Sequence, residues 1–168
     1  MPVRTLLVRA DGTLQCGDQT YRCALGKGSF ADNKQEGDGA CPVGTFPLRW
    51  VLYRADRGEA PETSLPASTI DKDDGWCDDP GHASYNKPIT FPFNASAEHL
   101  WRDDHLYDVI VVLGHNDDPA VPGAGSAIFM HVARPDYGPT EGCVALALED
   151  LLAVLALCDE TTELTIQP

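Results

Sequence analysis

No apolar run in these 168 residues approaches the ~20 that a membrane-spanning helix needs; the longest candidates are VIVVLG and AIFMHVA. Positive charge is scarce as well. Twelve Lys and Arg stand against 26 Asp and Glu, for a formal charge of −14. That balance argues against a nucleic-acid partner held through its phosphates. It leaves small or peptide-like substrates open, because a local pocket can differ from the surface around it. The amino-terminal MPVRTLLVRADG offers only TLLV where a secretory leader has an apolar run of about 7–15 residues. Prior removal of a leader, export by another route and an internal location all stay open. There is no C-x-x-C, and no Cys/His spacing of the zinc-ribbon or zinc-finger kind, so no metal is expected.

What is present describes a folded globular chain. With 43% hydrophobic and 23% charged residues the composition is neither disordered nor membrane-like. The length is that of one domain, residues 1–168, large enough to bury a core without staples. The six cysteines are Cys16, Cys23, Cys41, Cys77, Cys143 and Cys158. A bridge among Cys16, Cys23 and Cys41 is left open by their spacing.

Short β-like runs dominate. RTLLVRA and GTLQC are joined by Asp11-Gly12, a hairpin signal, and QTYRCALG follows. After the Gly- and Asp-rich loop KGSFADNKQEGDGACPVG, TFPLRWVLYRADR reads as a strand pair broken at Pro47. Residues 55–75 read as a long excursion, and GWCDDPGHASYNKP as a turn-dense loop with the aromatic content of a binding loop. SAEHLWRDD reads as a short helix with Ser96 as N-cap. LYDVIVVLGHN and SAIFMHVA are buried strands. ALEDLLAVLALC is a second helix, with Leu148, Leu151, Leu152 and Leu155 at helical spacing, and TELTIQP closes as an alternating strand. The fold class is mostly β with short helices.

The stretch GSAIFMHVARPDYGPTEGCVALALEDLL concentrates the chemistry. A thiol becomes a nucleophile when a base, positive potential or backbone N–H groups stabilise its thiolate. Cys143 follows Gly142, which permits close backbone approach, and the N–H groups around Glu141, Gly142 and Cys143 could face a developing oxyanion. His131 ends a strand twelve residues earlier, and a return loop would bring it beside Cys143. The competing reading is a buried small hydrophobe and a satisfied strand-end histidine. His115, which also ends a buried strand, is a rival base.

The segment P-T-E-G-C-V resembles the [S/T]-x-G-C signature of the YkuD-type L,D-transpeptidases, the ErfK/YbiS group of peptidoglycan-linking enzymes. KQEGDGACPVGTFPL is similar to the family's E-G-D-x-x-T-P-x-G-x-F segment, with Cys41 where Thr is usual. GWCDDP with Tyr85-Asn86 resembles a loop of one compact, stand-alone branch. LYDVIVVLGHN, GSAIFMHV and the helix after the cysteine fall in the expected order, so the likeness covers most of residues 26–157. It implies a β-sandwich or barrel catalytic domain, with Cys143 as nucleophile, His131 as base and the Thr140-Glu141-Gly142 turn at the oxyanion hole. It implies no cofactor and no metal. Its partners would be peptidoglycan stem peptides, donor and acceptor, at a periplasmic or cell-wall location, and a carbapenem would acylate the thiol. The products would be 3-3 or 1-3 cross-links or exchanged D-amino acids. Hydrolysis of the same thioester, or a non-catalytic wall-binding module, are the alternatives. Ala145 stands where Arg or Asn is common, and Val132 where the histidine is commonly followed by Gly. Trp76, Asp78, Asp79 and Tyr85 in the acidic aromatic loop, together with Thr140, are the expected substrate contacts.

Overall fold

The computed structural model describes all residues, Met1–Pro168. The chain opens with the expected hairpin of β1 (Thr5–Arg9) and β2 (Thr13–Cys16), followed by β3 (Gln19–Arg22). Gly12 takes a φ of +83°, and the Asp11 carboxylate accepts the Thr13 N–H at 3.2 Å and its hydroxyl at 2.6 Å. A two-stranded ladder joins β4 (Phe30–Ala31) to β5 (Cys41–Pro42). Then come β6 (Gly44–Tyr53), β7 (Ala67–Thr69), β8 (Asp74–Cys77), β9 (Pro88–Thr90), β10 (Ala97–His99), β11 (Val109–Leu113), β12 (Phe129–Val132) and β13 (Val144–Leu146). The helix α1 (Leu148–Leu155) and β14 (Glu163–Gln167) complete the chain.

The main sheet runs β13-β12-β11-β6-β14-β1-β2-β3, with β7 beside β6. Just past β3, Ala24 exchanges both backbone hydrogen bonds with Ala145 of β13, at 2.7 and 3.0 Å. Those two bonds bring the first and last strands of the order together, so the sheet is a nearly closed barrel. Leu6, Val8, Leu14, Val51, Val111, Met130, Leu164 and Ile166 point inward, and Leu151, Val154 and Leu155 of α1 join them.

β11 explains its own composition. Val109, Val111 and Leu113 face the barrel core, while Ile110 and Val112 face a second cluster with Trp76, Leu100, Tyr107, Phe129 and Cys143. A strand buried on both faces reads as a continuous apolar run. The second face is covered by the small sheet β10-β8-β9. His131 lies opposite Ile110 in the antiparallel β11–β12 register, and so belongs to that second face.

Three expectations are corrected. Residues 97–99 form β10 rather than a helix, pairing Glu98 with Trp76 and His99 with Gly75. Ser96 gives its hydroxyl to the Asp78 carboxylate at 2.6 Å instead of capping, and His99 stacks on Phe91 at 3.8 Å. Alternating tertiary contacts override a helical period only a few residues long. The first residues of GWCDDP likewise belong to strand β8. Pro47 does not break its strand. Up to Pro47, β6 pairs with β14; from Leu48 it pairs with β11. The proline falls at that changeover, and its carbonyl accepts the Gly114 N–H at 2.9 Å. All six cysteines are buried free thiols.

Gly26 sits where three backbone segments meet. A Cβ there would lie 2.3 Å from the Gly39 carbonyl oxygen and 3.0 Å from the Gly142 Cα. Neither neighbour is a flexible side-chain end. Gly26→Ala should cost about 2–3 kcal/mol, read as a lowered urea midpoint with an unchanged m-value.

Candidate active site

β12 and β13 pair in parallel, with Met130 opposite Val144 and His131 opposite Ala145. The loop between them is therefore a crossover. Cys143 lies two residues before Ala145 and so on the same face as His131. The strand spacing of ~4.8 Å and the rise of ~3.3 Å per residue put their Cα atoms about 8 Å apart. The Cys143 thiol donates to the Ala127 carbonyl at 3.3 Å, and its sulfur accepts the Phe129 N–H at 3.4 Å. The His131 Nδ1–H donates to the Val132 carbonyl at 2.9 Å, which leaves Nε2 as the basic nitrogen. Tyr107 meets the His131 ring edge-on at 5.3 Å.

The turn before the cysteine is fixed from three sides. Thr140 accepts the Lys27 N–H through its carbonyl at 2.8 Å and gives its own N–H to Leu25 at 2.9 Å. Its hydroxyl donates to the Cys143 carbonyl at 2.7 Å and accepts the Gly142 N–H at 3.2 Å. Gly142 has a φ of +127°, and a Cβ on it would lie 2.8 Å from the Ala40 carbonyl oxygen. Gly142 is thus required twice, by conformation and by space. With the Gly142 N–H held by Thr140, the N–H groups of Glu141 and Cys143 are the ones without a protein acceptor. The Cys41 thiol donates to the Cys143 carbonyl at 3.5 Å and accepts the Gly26 N–H at 3.3 Å, tying the E-G-D segment to Cys143.

Behind the site lies Asn86. Its side-chain oxygen accepts the Trp76 indole N–H at 2.9 Å and the Ala127 N–H at 3.0 Å. Its amide donates to the carbonyls of His115 at 3.0 Å and Asn116 at 2.8 Å. The Tyr85 hydroxyl donates to Glu36 at 2.7 Å and accepts the Gly125 N–H at 3.0 Å. Ser126 also donates to Glu36, at 2.6 Å.

Cys143 and His131 line a cavity of about 530 Å³ with Asp78, Thr140, Glu141 and Ala145. Trp76 and Tyr85 do not line it; both are buried behind it, and Trp76 packs edge-on against Phe129 at 5.0 Å. Asp79 turns away, accepting the Gly81 N–H at 2.9 Å. His115 is also off the cavity, edge-on to Phe46. Glu36, Glu98, Arg102, Tyr107, Lys34 and Arg134, none of them expected at the site from the sequence, supply much of the cavity's charged and polar lining. Only the alternation of Ala97, Glu98 and His99 held a clue, since it fits a strand. No group of three or more His, Cys, Asp or Glu is arranged to hold a metal ion.

Burial raises the Cys143 thiol well above its ordinary range; Glu98 reinforces this and the Phe129 N–H opposes it. Burial lowers His131 to about 4, against the pull of the Val132 carbonyl, and lowers His115 to about 4. The resting pair is a neutral thiol beside a neutral imidazole. In the unfolded chain these histidines titrate near 6.5. The unfolded state therefore binds more protons between pH 6.5 and about 4, and stability contributed above 6.5 is lost as the pH falls through that window. Urea midpoints should drop from pH 7 to pH 4.5, and His131→Gln should drop less over the same interval.

The sequence model of the YkuD L,D-transpeptidase catalytic domain matches residues 4–166. No curated protein matches the chain. Among solved structures, an L,D-transpeptidase from Mycobacterium tuberculosis H37Rv is 12% identical over 99% of this chain and 58% of its own, with a TM-score of 0.47. L,D-transpeptidase 3 from the same species, carrying a faropenem-derived adduct, is 12% identical over 99% and 61%, with a TM-score of 0.48. The helical cell shape determining protein Pgp2 from Campylobacter jejuni is 17% identical over 99% and 48%, with a TM-score of 0.47. The chain spans less than two thirds of the length of each of them. With the family's domain matched across nearly its whole length, the chain belongs to the YkuD family of L,D-transpeptidase catalytic domains.

Proposed function

We propose that residues 1–168 form one catalytic domain, a cysteine acyltransferase acting on peptidoglycan stem peptides at the cell wall. The observation that carries this reading is the His131 tautomer. With Nδ1–H held by the Val132 carbonyl, Nε2 is left to receive a proton on the cavity face that also carries Cys143. Because the resting pair is neutral, the thiol proton moves to Nε2 as sulfur attacks the carbonyl of an L-centre, at diaminopimelate. The Cys143 N–H, and that of Glu141, face the oxyanion. His131 then protonates the departing D-amino acid, leaving a thioester. An acceptor amine resolves the thioester into a 3-3 or 1-3 cross-link, or into an exchanged D-amino acid.

Incubation with purified muropeptides and mass analysis of the products tests this directly. Cross-linked products are expected; a shortened stem peptide alone would mean that water resolves the thioester. Cys143→Ala and His131→Ala should each remove nearly all turnover with the fold intact, whereas His115→Ala should cost far less. A carbapenem should form one adduct, and digestion should map it to Cys143. Cross-linking by Cys143→Ala would sink the assignment, and so would an adduct on Cys77 or Cys158.

Asp78 is the member of the acidic loop on the cavity wall, oriented by the Ser96 hydroxyl at 2.6 Å. A carboxylate there attracts a cationic acceptor amine. Asp78→Asn should slow cross-linking more than it slows carbapenem acylation, while Asp79→Asn should leave both near wild type. Equal slowing of both rates by Asp78→Asn would assign it to the donor side or to the fold.

A further inference from the structure

Transfer to an amine releases more protons than the Cys143–His131 pair can handle. An acceptor arrives as R–NH3+. One proton must leave before the nitrogen lone pair can attack, and a second leaves as the amide forms. His131 Nε2 takes the second and returns it to the Cys143 sulfur. The first needs another base.

The cavity holds three carboxylates besides the rim residue Glu141. Glu36 spends one oxygen on two hydroxyl donors, Tyr85 and Ser126. Asp78 is held by Ser96. Glu98 is brought to the cavity by β10, in register with Trp76, and lines it together with Cys143 and His131. One of its oxygens accepts the Tyr107 hydroxyl, and the other has no protein donor. Tyr107 in turn packs against His131, so the carboxylate is tied to the ring of the proposed base.

We propose that Glu98 is the base that takes the surplus proton from the incoming ammonium. This rests on the acyl-transfer reading and adds a residue to it. The step balances. R–NH3+ and the Glu98 carboxylate become R–NH2 and a carboxylic acid. The amine nitrogen then forms the C–N bond and the C–S bond breaks. The second N–H proton passes through His131 Nε2 to the Cys143 sulfur, and Glu98 returns its proton to solvent through the cavity. The groups that face Glu98 suit the role. Burial raises its proton affinity, with Asp78 and Glu36 adding to that, while the Tyr107 hydroxyl and Arg102 oppose it. A carboxylate moved toward the amine range takes a proton from an amine more readily than an exposed one.

The test separates the two half-reactions on the full chain. Cys143 is acylated with a carbapenem or a donor peptide, and the acyl-enzyme is then challenged with amines of graded basicity. In Glu98→Gln, acylation should not fall below wild type, since the Glu98 charge raises the Cys143 thiol, while aminolysis by a strongly basic amine at pH 7 should fall on the order of 100-fold. That loss should shrink as the pH approaches the amine's own pKa. It should be small for hydroxylamine, which is already neutral at pH 7. An equal loss for all amines at every pH, or no loss, overturns the proposal. Tyr107→Phe removes the hydrogen bond that lowers Glu98, so the acid limb of aminolysis should move to higher pH; an unmoved limb also overturns it. Failure of wild-type acylation would instead strike the acyl-transfer reading itself.

Discussion

The four hydrogen bonds of Asn86 hold the site together. They join the small sheet, through Trp76, to the segments that leave β11 and enter β12, through His115, Asn116 and Ala127. Asn86 itself adopts a φ of +58°, a conformation that Asn tolerates better than most residues, and Ala127 is held at +54°. From that strained position the Ala127 carbonyl receives the Cys143 thiol. Each such bond is worth only about 1 kcal/mol net, but a buried polar group left without its partner costs about 1–3 kcal/mol. The network therefore acts through what its loss would leave exposed: a buried indole N–H and a backbone turn with nothing to hold it.

The second face of β11 follows from the same arrangement. Covering it with β8, β9 and β10 removes His131 and Cys143 from water, and that burial keeps both neutral. A neutral thiol is a poor nucleophile and a poor target for adventitious oxidation or metal binding. On the proposed acyl transfer, reactivity then depends on a substrate carbonyl arriving where the proton can move to His131 as the C–S bond forms. Neutrality at rest and polarity in the cavity are thus compatible, because the charges of Lys34, Glu36, Glu98 and Arg102 line the walls rather than the reacting pair.

Much of this was legible in the sequence because it rested on local signals. Asp11-Gly12 fixed a hairpin, VIVVL a buried strand, and the spacing of Leu148, Leu151, Leu152 and Leu155 the helix α1. That Cys143 and His131 share one cavity was legible from one strand and a glycine-led turn. Glu98 was not, because a three-residue strand paired with a distant segment carries no period long enough to distinguish it from a helical turn. Trp76 and Tyr85 were read as groove residues because aromatic rings in a turn-rich loop look alike whether they face a ligand or anchor the loop from beneath. Only the tertiary partners, Phe129 and Asn86 for one and Glu36 for the other, decide which.

The near-closure of the barrel has a dynamic consequence. Its seam is two backbone bonds between Ala24 and Ala145, two residues from Cys143, and two more that Thr140 makes with Leu25 and Lys27, where the ladders along the sheet pair three to five positions. Short ladders open first in native-state fluctuations. Opening the seam would release one side of β13, which keeps its pairing with β12, while the β11–β6–β14–β1 centre of the sheet stays intact. Amide exchange at Ala145 would then report on the strand that follows Cys143.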